Sequence, residues 1–223
     1  VRFAYAPDAG VASLVIAGEL YTHLYHSRRT KLEKKLFFRN LNDSYLYTYE
    51  QTNISRKHAE LRLCTRVDMP VLPNREIHII WAIIESKTIE KTLPYLNQIG
   101  VGKITFFYAN RSQKNEKISI ERLTKILIHS CEQCGRSALM DIEILPDSQS
   151  AHKQYPKACV FDFGGKDIYR YPPSLKDGIF IGPEGGFDLA EKTLFKDCST
   201  YSIATDFTLK SECATLLLAS LGR

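Results

Sequence analysis

At 223 residues, with 44% hydrophobic and 25% charged side chains, the chain can hold one large domain or two modest ones and has the make-up of an ordinary globular protein. No window approaches an uninterrupted transmembrane span, and the first residues lack a basic-then-apolar leader pattern, so a cytoplasmic protein without a membrane partner is expected. The net charge is +5, and six cysteines at irregular positions read as reduced thiols rather than a disulfide framework.

Most of the positive excess lies early. Residues 1–70 carry 11 Lys and Arg against 7 Asp and Glu, whereas residues 71–223 carry 19 against 18. Within the first part, "ASLVIA", "SYLYTYE" and "HAELRLC" alternate apolar and polar residues with the period of half-buried strands. One short helix is predicted, roughly Glu19 to Ser27. It runs into "HSRRTKLEKKLFFRN", where seven basic residues, His26 included, sit among aromatics. Such a stretch suits phosphate contacts with base stacking, and it equally suits a solvated helix face. "SRKH" (Ser55 to His58) reads as a solvated turn. The whole segment suggests a small β-barrel-like module.

"DMPVLPNRE", Asp68 to Glu76, places two prolines and an asparagine between unlike textures and marks a linker. Two domains are expected, 1–70 and 71–223. Beyond the linker, "IHIIWAII" is a continuous apolar run of the kind found in a strand covered on both faces. "KITFFY", "IEIL", "ACVFDF", "GIFIG" and "TYSIA" are further strand candidates, alternating with helical stretches. In one of these, Leu123, Ile126, Leu127, Cys131 and Cys134 recur at helical spacing. Pro94 should kink the helix predicted over Ser86 to Gln98 or delay its start. Strands alternating with helices imply an α/β fold with a mostly parallel sheet.

The stretch "GIFIGPEGGFDLAE" carries the chemistry. A strand ending in glycines before a helix lets the backbone approach a ligand at the carboxyl edge of a sheet. Asp188, followed by Glu191, fits a helix N-cap with an acidic residue three positions on. The dinucleotide and P-loop glycine patterns are absent, there is no G-x-S-x-G elbow, and "FGGKD" (Phe163 to Asp167) reads as a turn. Glu184 inside the turn would repel a polyphosphate, yet it could accept hydrogen bonds from a ribose or an amine, or face a cation. A structural strand-to-helix corner remains the alternative. "CEQC" at Cys131 to Cys134 lacks a second ligand pair, so core packing is expected there and no metal site.

"IGPEGGF" together with downstream "LKSECATLL" resembles the 16S rRNA (uracil-N3)-methyltransferase family, the RsmE-type branch of the SPOUT methyltransferases. "LNQIGVGKITFFYANRS" and "ERLTKILIHSCEQCGR" resemble two further family segments, and "LYHSRR" a third more loosely. The resemblance implies a PUA-like β-barrel that holds RNA, then an α/β domain with a C-terminal trefoil knot that binds S-adenosyl-L-methionine. It also implies a homodimer acting on a uridine N3 of 16S rRNA in the assembled small ribosomal subunit. By position it assigns the cofactor to Ile181, Gly182, Pro183, Glu184, Gly185, Gly186, Ile203, Thr205, Leu209, Lys210 and Glu212. RNA contacts fall to Arg28, Arg29, Arg111, Ser112 and Arg136, with Arg111 also a catalytic candidate.

The segment "ATDFTLKSECA" departs from the family pattern. Thr205 stands for a glycine, Phe207 and Lys210 for arginines, and Cys213 for a threonine. Lysine lacks the planar bidentate fork of arginine. Methyl transfer from a sulfonium is an in-line displacement in which positioning dominates, and uracil N3 must lose a proton before it attacks. Arg111 could stabilise the resulting anion; no residue is an obvious base. Two other classes stay open: a non-catalytic RNA-binding or ribosome-assembly protein, and a nucleotide-dependent enzyme using the glycine turn for phosphates.

Overall fold

A computed structural model describes residues 2–27, 30, 31, 33–205 and 207–221. The chain divides into two compact units, residues 1–72 with 128–139, and residues 73–127 with 140–223.

The first unit is built on a five-stranded sheet. Its strands are β1 (Ala4–Tyr5), β2 (Ser13–Ala17), β3 (Leu36–Arg39), β4 (Tyr45–Ile54) and β5 (His58–Asp68), in the order β1-β3-β4-β5-β2. Only the β1–β3 pair is parallel. Along β2, Leu14 and Ile16 face the core while Val15 faces outward, so the period-2 reading of "ASLVIA" holds. The predicted helix is α1 (Gly18–Tyr21), which passes into a π-helical stretch, Thr22–Ser27. The end of the basic stretch, "LFFR", is strand β3, where Phe38 is buried and Arg39 donates to the carbonyls of Ser44 and Met69. Ser55 to His58 makes the turn between β4 and β5, closed by a hydrogen bond from the Ser55 N–H to the His58 carbonyl.

The second unit carries a six-stranded sheet in which every pair is parallel, a mixed α/β fold as expected. Its strands are β6 (His78–Ala82), β7 (Lys103–Phe107), β8 (Asp141–Leu145), β9 (Cys159–Asp167), β10 (Ile179–Ile181) and β11 (Thr200–Ser202), ordered β11-β9-β10-β6-β7-β8. The helices are α2 (Ser86–Ile99), α3 (Ile120–Cys134), α4 (Ser148–Gln154), α5 (Leu189–Leu194) and α6 (Ser211–Leu221), of which α3 belongs to this unit only up to Leu127. All of β6 is buried, as its continuous apolar run requires.

Three details depart from the sequence reading. Helix α2 starts at Ser86 and runs through Pro94 to Ile99, so the proline does not delay its start. "FGGKD" is not a turn: it is the end of β9, and its neighbour β11 holds it by a register that jumps from Thr200↔Val160 to Tyr201↔Lys166. Residues 161–165 are thereby bulged out of the β9–β11 ladder, with Gly164 at φ +75°. Finally, Cys131 is buried but Cys134 is exposed, because α3 ends at Cys134 and the last turn leaves the core face.

Candidate cofactor site

The parallel sheet puts the ends of its strands to different uses, and the chemistry gathers at the carboxyl edge. Strand β10 stops at Ile181, and Gly182 to Phe187 form a tight turn into α5. Gly186 takes φ +65°, a left-handed conformation that a side chain would strain, and its N–H closes the turn on the Pro183 carbonyl at 2.8 Å. Asp188 then caps α5. Its side chain accepts from the Glu191 N–H at 2.8 Å while the Glu191 carboxylate accepts from the Asp188 N–H at 3.1 Å, the capping box read from the sequence.

A cleft opens over this turn. It is lined by residues 161–163, 181–187, 202, 203, 205, 207–209, 211 and 214, drawn from the β9 bulge, the glycine turn, the segment after β11 and the first turn of α6. Of the positions assigned to a cofactor, Ile181, Gly182, Pro183, Glu184, Gly185, Gly186, Ile203, Thr205 and Leu209 come together here. Lys210 and Glu212 are not in this lining. Ser211 and Ala214, three apart on α6, turn toward the cleft, and the residues beside Ser211 are rotated away from that face.

The walls are held by a short relay. Trp81, fully buried on β6, donates its indole N–H to the Ser211 hydroxyl at 2.8 Å, and Ser211 donates onward to the Gly182 carbonyl at 2.6 Å. The apolar face comes from Ile181, Phe187 and Ala214, and the charged one from Asp162 and Glu184. Asp162 is ion-paired with Lys192 at 2.9 Å. A carboxylate on a glycine turn beside an apolar wall suits a ligand that carries an amine or hydroxyls next to an apolar group. It does not match a polyphosphate, since the turn brings a carboxylate where phosphates would need cations.

Arg111 reaches this turn from the loop after a neighbouring part of the sheet. It follows β7, and its guanidinium donates to the Gly185 carbonyl at 2.6 Å. Its loop is anchored twice: the Asn110 N–H donates to Glu191 at 2.9 Å, and the Asn110 amide donates to Asp188 at 2.9 Å. Ser112 is buried, and its hydroxyl accepts from the Ala109 N–H at 3.1 Å, so it shapes the turn that presents Arg111. Arg136 is also buried, and burial pulls its pKa down. An RNA contact by Arg136 would need its guanidinium uncovered. Arg28 and Arg29 lie outside the described residues.

Sequence reasoning missed several members of this constellation. Asp162 and Phe163 were hidden because "FDFGG" reads as strand and turn, and only the register jump pushes them into the cleft. Glu191 was seen as a cap alone. In the fold its carboxylate also takes the Ser148 hydroxyl and the Asn110 N–H, tying α4, α5 and the Arg111 loop at one point. Among the described residues no cluster of three His, Cys, Asp or Glu could hold a metal ion.

Known proteins resemble this chain over its whole length. The model of a family described as an RNA methyltransferase domain matches residues 71–222. The ribosomal RNA small subunit methyltransferase E of Helicobacter pylori (strain ATCC 700392 / 26695) is 50% identical over 228 residues, covering 100% of both chains. A protein of the same name from Aquifex aeolicus is 20% identical and covers 88% of this chain and 89% of its own. Among solved structures, the ribosomal RNA small subunit methyltransferase E of Neisseria gonorrhoeae, bound to S-adenosyl methionine, superposes with a TM-score of 0.79 at 17% identity, covering 98% of this chain and 95% of that one. A Legionella pneumophila protein solved with bound cofactor SAM gives a TM-score of 0.81 at 21% identity, covering 99% and 95%. The two structures speak for the fold; the family model and the full-length identity go further, and this chain belongs to the RNA methyltransferase domain family, among the ribosomal RNA small subunit methyltransferase E proteins.

Proposed function

We propose that this chain methylates N3 of a uridine in 16S rRNA, using S-adenosylmethionine and acting on the assembled small ribosomal subunit. The observation that carries the reading is the cleft over the glycine turn, with the Arg111 guanidinium bonded to the carbonyl of Gly185, one of its lining residues.

When bound, S-adenosylmethionine supplies an electrophilic methyl group on a sulfonium. Residues 182–186 would hold it through backbone groups, with Ile181, Leu209 and Ala214 as apolar wall and Asp162 and Glu184 facing its positive groups. The protein's own contribution is positional and electrostatic. Arg111, anchored by Asn110, carries a fixed positive charge to the mouth, where a uracil that has lost its N3 proton would place its oxygens. The target base has to leave its stack to arrive there. A PUA-like barrel in the first unit that grips RNA, a trefoil knot in the second, a homodimer and a cytoplasmic location complete the proposal. They are supported by the resemblance of "IGPEGGF" and "LKSECATLL" to that family. No helix among the described residues is long and apolar enough to cross a membrane.

The experiment is incubation with labelled S-adenosylmethionine and small ribosomal subunits lacking the modification, followed by nucleoside mass spectrometry. Appearance of 3-methyluridine is the expected result. RNA binding without any methylated nucleoside would favour instead a non-catalytic ribosome-assembly role.

A further inference from the structure

We propose that Phe163 and Phe207 form an aromatic platform at the mouth of the cleft on which the unstacked target base lies. The inference rests on the methyltransferase reading and names residues it does not use.

The chain has eleven phenylalanines. Seven are buried, and the two most exposed, Phe163 at 72% and Phe207 at 80%, both line this cleft. Each is held out by the backbone rather than stranded by accident. Phe163 sits in the β9 bulge, between the paired positions Val160 and Lys166. Phe207 lies in the segment after β11, and its N–H is fixed on the Thr205 hydroxyl at 3.2 Å. The interior already has apolar lining in Ile181, Phe187 and Ala214, so an enclosed ligand does not require rim rings that face outward.

The lining identifies the occupant. Among the described residues that line the cleft none is Lys or Arg, Asp162 is already paired with Lys192, and Arg111 reaches the Gly185 carbonyl alone, so there is no row of cations for a phosphate backbone. What such a mouth accepts from RNA is therefore the flat face of a base. Aromatic side chains stack on bases of any sequence, which offsets the stacking lost when a nucleotide turns out of its helix.

The test uses the full chain. Its single tryptophan, Trp81, is fully buried, so the emission that Phe207→Trp adds over that of the unaltered protein, titrated in parallel, comes from an exposed indole at the rim. Titration with a short single-stranded oligouridine RNA should quench that emission saturably. In parallel, Phe163→Ala and Phe207→Ala should each raise KM for unmethylated small subunits roughly 5- to 100-fold. Their Kd for S-adenosylmethionine, measured by calorimetry, and their sedimentation should stay unchanged, and Phe207→Trp should keep near-normal KM. A weakened cofactor Kd would make the rings part of the cofactor wall and overturn the proposal. A change in sedimentation would assign them to a contact with a second copy, and an unchanged KM would show them idle. If the unaltered protein methylates nothing while the quenching still saturates, the methyltransferase reading falls and the base platform stands.

Discussion

The Glu191 carboxylate and the Asn110 backbone N–H meet at 2.9 Å across 81 positions of sequence, in a spot where Glu191 is 2% exposed. The same carboxylate accepts from the Ser148 hydroxyl and the Asp188 N–H. One buried side chain thus pins the loop that carries Arg111 to the turn that shapes the cleft. Glu191→Ala leaves three donors without their acceptor and should cost about 2–4 kcal/mol of stability. Urea unfolding at neutral pH measures it, and a loss below about 1 kcal/mol would show that the junction holds without its carboxylate.

Arg111 carries the electrostatic part of the proposed chemistry. Arg111→Ala should lower kcat for methylation on the order of 100-fold, the usual cost of removing one preorganised charge or donor. Arg111→Lys should recover only part of this, because a point charge on a flexible stem cannot bond the Gly185 carbonyl and face a ligand in one fixed plane. Near-normal single-turnover rates in the alanine variant would remove Arg111 from the chemistry.

Ser211 links two groups that have little alternative. Its replacement by alanine orphans the Trp81 indole N–H and frees the Gly182 carbonyl, at a cost of about 1–3 kcal/mol. Trp81 is the sole tryptophan, so its emission reports the change directly. Ser211→Ala should alter that emission and weaken cofactor binding together; a variant with wild-type emission and affinity would contradict the relay.

Two glycines should respond very differently to a methyl group. A Cβ on Gly165 would stand 2.6 Å from backbone atoms of Thr200 and Tyr201, which leaves no flexible side chain to yield. Gly165→Ala should cost about 3 kcal/mol or more. At Gly186 a Cβ meets nothing within 4 Å, and only the φ of +65° opposes it. Gly186→Ala should cost about 1–2 kcal/mol. Thermal melting that ranks the two in the reverse order would refute the close approach of β9 to β11.

At the opposite, amino edge of the parallel sheet, His78 hydrogen-bonds Thr105 at 2.9 Å beside Lys103 and Glu143. Burial first, and then Lys103, push the His78 pKa from 6.5 down to about 4. Burial alone would raise Glu143. Hydrogen bonds from Tyr155, Gln154 and Thr105, with the nearby Lys103 charge, outweigh it and bring the carboxyl to about 2. Between pH 4 and 6.5 the unfolded chain therefore binds a proton at His78 that the folded one refuses, so stability falls as pH falls through that window. The Glu143 contribution, present above 4.5, is lost below it. Urea midpoints from above pH 6.5 down to about 2 should show both limbs, and His78→Gln should flatten the upper one. An unchanged upper limb would place the acid sensitivity elsewhere.

Much of the architecture was legible because it is local. Period-2 alternation in "ASLVIA" needs only one buried face, and the unbroken run "IHIIWAII" needs two, so strand placement followed from the pattern. The Asp188–Glu191 cap was legible for the same reason: both its bonds close within one helical turn. The π-helical stretch at Thr22–Ser27 and the two-residue strand β1 carried no such periodic signal.

By itself, then, the sequence determined the alternation of strands and helices, the glycine turn with its carboxylate, and the family motifs on which the cofactor expectation stands. What only the tertiary structure decided is which distant residues share a few ångströms. Asn110, Ser148 and Glu191 are separated by tens of residues, and no periodicity links them. The register jump between Val160 and Lys166 depends on where β11 pairs, a long-range event, and it alone brings Asp162 to the cleft and Phe163 to its exposed rim. Local spacing follows from the geometry of one helix or strand. Convergence is set by how the sheet orders its strands, here β11 beside β9 rather than beside its neighbour in sequence.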